Sequence, residues 1–340
     1  MTILYLSLFS FIGLILLVVH SYFKRGFRLT LSFFLFSFVV GMRKEAGTFL
    51  GPSLSNMRHP TPFIHTTNYP LLFSVLNTTI GWMLVFYLSW CIAEKIIERS
   101  TYLKGKIFPT LLFAGMVIAA LSYAIEATAI NIGWWKWVFF DVHLAGYLVG
   151  GVHLFALSAW FYFAVHFLAP YFLIECSPFR QASWKCIFFL IPFSRTCTML
   201  FLGSDLPRMV HEFIIFFILM ILVLVNPLHF NYPNFKERLT DRSLVCRLVD
   251  IIPYIVASII LTMLIFIDII KIKNPYLLIS LFPLVVLILL SLQKVPVRLI
   301  AFLALGIGLA FGKFGIAVCI PVLIFLGLNA FFNLRHATKI

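Results

Sequence analysis

The chain has 340 residues, of which 62% are hydrophobic and only 11% charged, and its mean hydropathy is +1.05. Soluble domains carry roughly 25% charged residues and about half apolar ones, so this composition excludes a water-soluble globular protein and calls for a bilayer as solvent. A formal charge of +14 would suggest nucleic acid in a soluble protein; in a membrane chain it reads as Lys and Arg gathered in cytoplasmic loops, with no nucleic-acid partner.

A crossing helix needs about 20 consecutive apolar residues. Such segments are predicted over 3–22, 29–47, 70–93, 107–130, 145–168, 185–203, 209–227, 251–270, 275–292, 297–312 and 315–334. The fold expected is all-α and polytopic, with eleven transmembrane helices, or ten if the short 297–312 segment is re-entrant. The first twenty residues lack a basic leader region and a small-residue cleavage site, and are expected to remain as the first helix. If the N-terminus is outside, 17 of the 26 basic residues fall in inner loops, among them Lys24, Arg25, Arg28, Lys95 and Arg99. The positive-inside rule then places the C-terminus in the cytoplasm and the chain in the cell membrane. Six scattered cysteines with no Cys-x-x-Cys pair read as free thiols.

Two connections stand out. Residues 48–69 are polar and proline-dense, as in an irregular segment covering a cavity mouth. Residues 228–249 are charged and read as a cytoplasmic hinge. By its polarity the chain is read as an N-terminal bundle, 1–170, carrying most of the polar and aromatic residues, and a C-terminal bundle, 171–340, to which the sequence gives no role.

Acids inside an apolar chain are costly and therefore informative. Glu94, Glu98, Glu175, Glu237 and Asp241 fall in basic loops or at inner helix ends, where surface ion pairing explains them. Asp250 is expected to cap the start of the eighth helix, and Asp268 to pair with Lys271 or Lys273. Glu45, Glu126, Asp141, Asp205 and Glu212 remain, all toward the outer half. Glu126 has no basic neighbour nearer than Lys136, so it needs Tyr123, Asn131, a donor on another helix, or a proton. Apolar surroundings favour the protonated form of a carboxyl group, and such a group acts as a general acid near neutral pH. Glu45 follows Arg43-Lys44 and is either an interfacial ion-pair member or a partner to Glu126 in a shared pocket.

Metal binding finds little support. Asp205 reads as a cap before Pro207, and no His-x-x-x-His or Glu-x-x-His spacing accompanies His211 and Glu212. His143 and His153, ten residues apart, would lie about 15 Å apart on one helix, too far for one metal. No Gly-rich phosphate loop or nucleophile elbow is present. Trp134, Trp135 and Trp137 suit an interfacial aromatic belt, whereas Trp82 and Trp160 lie deeper. Aromatic faces around a carboxylic acid suit a long polyene, or the cation formed by protonating one.

The order of these motifs resembles the integral-membrane carotenoid biosynthesis family that includes the C50 carotenoid hydratases. Glu45-Ala-Gly-Thr-Phe-Leu-Gly51-Pro52 resembles its first motif, and Ile80-Gly81-Trp82 through Trp90 another. Glu126 to Trp137, with Gly133-Trp134-Trp135-Lys136-Trp137, matches the spacing of a third, and Trp160 closes the series. The family's Asp-Pro is Glu126-Ala127 here and its tyrosine is Trp134; the likeness covers roughly 29–168. It implies acid-initiated addition to an isoprenoid double bond, with isomerisation or cyclisation as variants. Glu126 would supply the proton and Glu45 orient water. Trp82, Trp134, Trp135, Trp137, Trp160, Tyr123 and Asn131 would line a lipophilic substrate's site, without metal or cofactor. The rival readings are a multi-pass transporter or flippase, and a structural subunit of a membrane complex; an oligomer or complex partner stays open.

Overall fold

A computed structural model describes residues 2–50, 71–131, 148–149, 152–175, 214, 244–267, 275–311 and 316–337. Among these, nine long helices carry the architecture: α1 (Thr2–Arg25), α2 (Phe27–Leu50), α3 (Leu71–Ile97), α4 (Ile107–Asn131), α5 (Leu154–Glu175), α6 (Leu244–Ile267), α7 (Pro275–Ser291), α8 (Val297–Phe311) and α9 (Ile316–Ala337). A two-stranded antiparallel hairpin, β1 (Leu148–Val149) with β2 (Val152–His153), precedes α5. Four of the helices have a described stretch long and apolar enough to cross a membrane: Ser7–Arg25, Val75–Ile97, Ile107–Glu126 and Leu248–Ile265.

The all-helical expectation holds, and most boundaries agree within a few residues. Three readings need correction. The fifth helix begins at Leu154, not 145, because the chain first pairs Val149 with Val152 across the Gly150-Gly151 dipeptide. His153 therefore ends a strand instead of lying in a helix, and His143 lies outside the described residues. The eighth predicted helix begins at Leu244, so Asp250 lies inside α6, where it pairs with Lys24 at 2.5 Å instead of capping. Glu175 is no surface acid: it is 3% exposed and accepts from Ser32 Oγ at 2.7 Å and from Arg28 at 3.5 Å, tying α5 to α2. The spans predicted over 185–203 and 209–227, and the 48–69 loop apart from its first residues in α2, lie outside the described residues.

Helices α3 and α4 form the interior. Most of their crossing stretches are buried, 78% and 83%, against 28% for those of α1 and α6. Helix α4 is apolar all round, which a helix tolerates only when protein covers every face; it packs against α3, α5 and α7. At the periphery, Phe302 and Leu309 of α8 and Leu323 of α9 are 64–77% exposed, as lipid-facing residues are. The main core cluster draws residues from Leu14 through to Phe325, on both sides of position 170.

Turn chemistry fixes one end of the bundle. Gly26 adopts φ 81°, the left-handed conformation that ends a helix, and its N–H donates to Tyr22 O. Thr30 Oγ1 then donates to Gly26 O, locking α1 to α2. Gly105 serves likewise, at φ 74°, between α3 and α4. Lys24, Arg25, Arg28, Lys95 and Arg99 gather at this basic end, where Arg99 donates to Val295 O at 2.7 Å.

An aromatic layer fills the middle. Phe33 lies 5.1–5.4 Å from Tyr87, Trp90, Phe167 and Tyr171, mostly edge to face, and Phe86 stacks on Phe167 at 4.3 Å. Near it, Gly115 lets α4 approach α5 closely: a Cβ there would lie 2.7 Å from the Phe161 ring. Gly115→Ala is expected to cost about 1–3 kcal/mol through overpacking. Thermal unfolding in detergent reads this, and an unchanged melting temperature would show that the ring gives way freely.

Candidate functional site

Glu126 sits in the last two turns of α4, at the end opposite the basic one. It follows Ile107 by 19 residues, or about 28 Å of helix. It is 1% exposed. Of the alternatives the sequence left open, the structure shows a donor on another helix: Trp160 Nε1 of α5 donates to Glu126 Oε1 at 3.2 Å. The indole of Trp160 leans on that of Trp82 from α3, with centroids 4.5 Å apart and planes inclined by 44°. Phe163 meets Trp82 edge-on at 4.7 Å. A chain of contacts thus runs from the acid through an indole N–H into an aromatic wall. Four helices build it, because Lys44 of α2 places its ammonium 4.2 Å from the Trp82 centroid and 5.2 Å from that of Phe163. A lysine in this position reports that the ring faces are electron-rich and open to a cation.

Three of the residues expected from sequence, Glu126, Trp82 and Trp160, are therefore in one cluster. Tyr123 is 3% exposed, one turn before Glu126, and its hydroxyl has no hydrogen-bond partner among the described residues; the neighbouring Ser122 hydroxyl is in the same condition. Glu45 follows Lys44 in α2 and Asn131 ends α4, but their side chains lie outside the described residues, as do Trp134, Trp135, Trp137, Asp141, Asp205, His211 and Glu212. Among the described residues no group of three His, Cys, Asp or Glu side chains is placed to hold a metal.

Trp160→Phe tests the indole contact alone, since the ring stays and only the donor goes. It is expected to destabilise by about 1–2 kcal/mol. Thermal unfolding beside Trp160→His, which keeps a ring N–H, checks this; equal losses in the two would mean that the hydrogen bond carries none of the effect.

A second polar group, at the basic end, was missed in the sequence. Arg25 forms an ion pair with Glu94 at 2.8 Å, stacks over the Trp90 ring at 3.5 Å, and donates through Nε to Tyr87 Oη at 3.2 Å. Tyr87 Oη is also within hydrogen-bond distance of His20 Nδ1, at 2.9 Å. Cys91, not in a disulfide, lies 3.9 Å from the same nitrogen. The signal was present as spacing: Tyr87, Cys91, Glu94, Lys95 and Glu98 recur at three or four residues, one stripe of α3.

Comparison of the chain with protein-family models, with curated proteins and with solved structures finds no match.

Proposed function

We propose that this chain is a polytopic protein of the cell membrane, crossing ten or eleven times with its N-terminus outside and C-terminus in the cytoplasm. In this reading it acts on a lipophilic isoprenoid of carotenoid type. The reaction is acid-initiated addition of water to a carbon–carbon double bond, or isomerisation or cyclisation through the same cation. The observation that carries the proposal is the buried Glu126 carboxyl, hydrogen-bonded to Trp160 and backed by the Trp82 indole.

The chemistry balances without a redox partner. Glu126, protonated, gives its proton to the terminal alkene carbon, and the electron pair of the double bond forms the new C–H bond. The tertiary cation left behind is stabilised by the faces of Trp82 and Trp160. Water adds to the cation, and the oxonium proton returns to the Glu126 carboxylate, restoring the acid. Trp160 N–H holds the carboxyl orientation throughout. Lys44 has to swing from the Trp82 face for the cation to form there, which its flexible four-carbon stem allows. Glu45, the next residue in α2, is assigned to orient the water, and Trp134, Trp135 and Trp137 to extend the aromatic lining.

Expression of the chain in a carotenoid-producing host, with pigment profiling against an empty vector, tests the reading. Hydrated or isomerised products are expected only with the chain present. Identical profiles would remove the isoprenoid assignment.

A further inference from the structure

A cavity of about 60 Å³ opens at the basic end, between the final turns of α1 and α3 and the first turns of α6. One water needs about 10–15 Å³ by the same measure, so the space fits a group of several heavy atoms. Three ion pairs border it: Lys24 with Asp250 at 2.5 Å, Arg25 with Glu94 at 2.8 Å, and Lys95 with Glu98 at 2.9 Å. Their formal charges sum to zero. A lone anion or a lone cation entering would leave one set of partners uncompensated, whereas a ligand carrying one charge of each sign can exchange with existing pairs and preserve the balance.

The pairs are not equivalent. Arg25 is committed to Glu94, Tyr87 and the Trp90 face. Lys24 and Lys95 carry flexible stems, unlike the stacked Arg25 guanidinium, so they are the cations able to turn toward a phosphate. Glu98 and Asp250, more exposed than Arg25, are the acids able to take up an ammonium. A primary ammonium fits better than a quaternary one: the lining carboxylates Glu98 and Asp250 reward N–H donors, while a trimethylated nitrogen is held by a cage of several aromatic faces, and Tyr254 is the single phenol or indole ring in the described lining.

The surroundings say that this ligand has a tail. Val19, Tyr22 and Phe23 of α1, and Leu248, Ile251 and Ile255 of α6, flank the charged groups at 37–52% exposure. Apolar side chains so exposed, next to a charged cavity at a helix-end depth, describe a surface where acyl chains lie while a head group turns inward. We propose that the cavity binds the head group of a zwitterionic phospholipid with a primary ammonium, of the phosphoethanolamine type. The phosphate lies between Lys24 and Lys95 and the ammonium between Glu98 and Asp250. This assignment is independent of the chemistry of Glu126, which lies at the opposite end.

Native mass spectrometry of the full chain in detergent, titrated with phosphatidylethanolamine, phosphatidylcholine or phosphatidylglycerol, tests it. The ethanolamine lipid is expected to be retained roughly tenfold better than the other two, as one to two charge-assisted contacts imply. Lys24→Gln with Asp250→Asn removes a whole pair without changing net charge, and Glu98→Gln alters a partly exposed acid. Each is expected to bring retention of the ethanolamine lipid down to that of phosphatidylcholine, with melting temperature without lipid recorded for both. Equal or better retention of phosphatidylglycerol would overturn the proposal, as would unchanged ethanolamine-lipid retention in folded Glu98→Gln protein. Water-soluble phosphoethanolamine is expected to compete weakly; displacement of the lipid at equimolar concentration would refute a lipid site in favour of a free zwitterion.

Discussion

Glu126→Gln is expected to abolish product formation while leaving the bundle folded. The amide keeps a carbonyl oxygen in place of Oε1, so it still accepts from Trp160 Nε1, and the aromatic wall behind it is untouched. What it loses is the transferable proton. General acid catalysis typically contributes about 10²–10⁴-fold, and a loss of this size is expected in turnover per folded protein. Glu126→Asp provides the intermediate point. It keeps the proton but draws the carboxyl back toward α4 by one methylene, away from the indole N–H, so partial turnover is the expected outcome. The measurement is product per unit of purified protein, with melting temperatures alongside. Wild-type turnover by the glutamine variant would take the acid role away from this residue.

The second large effect lies at the other end and concerns stability. Arg25→Met removes a guanidinium that is 4% exposed and that also contacts Trp90, Tyr87 and Cys91, and it leaves the partly buried Glu94 without this ion-pair partner. Breaking a buried pair from one side costs about 3–5 kcal/mol, because the remaining charge stays in a poor solvent. Arg25→Met combined with Glu94→Leu is expected to recover most of that loss, since two apolar side chains of similar volume replace the pair. The comparison is made by thermal unfolding of the three proteins in one detergent. A double variant no more stable than the single would show that the Arg25 stacking and its bond to Tyr87, not the charge pairing, hold α1 to α3.

Helix positions were legible because each apolar run here ends in a sharp chemical change. The Lys24-Arg25-Gly26 sequence at the end of α1 and the Glu94–Arg99 charges at the end of α3 mark ends that hydropathy alone places to within a few residues. The start of α5 escaped for the opposite reason. Residues 144–153 are apolar enough to extend the helix, and only Gly150-Gly151, flanked by Leu148-Val149 and Val152-His153, signalled a hairpin instead.

The site was legible residue by residue but not as an assembly. A lone acid among apolar neighbours marked Glu126, yet nothing in one dimension joined it to Trp160, 34 positions on, or placed the Lys44 ammonium over Trp82. Those contacts arise from packing four helices side by side. At the basic end the error ran the other way. Charges that looked like loop decoration turned inward, since Arg25, Glu94 and Glu175 find partners across helices and not in solvent.

The aromatic layer around Phe33 has an electrical consequence. It separates the two polar ends within α2, α3 and α5 with rings that are wholly or almost wholly buried, so water does not bridge these helices there. A potential applied along the bundle falls mainly across matter of low permittivity, which here is this layer of rings. On the membrane orientation proposed above, a proton reaching Glu126 and one reaching the Arg25 end come from opposite sides of the bilayer.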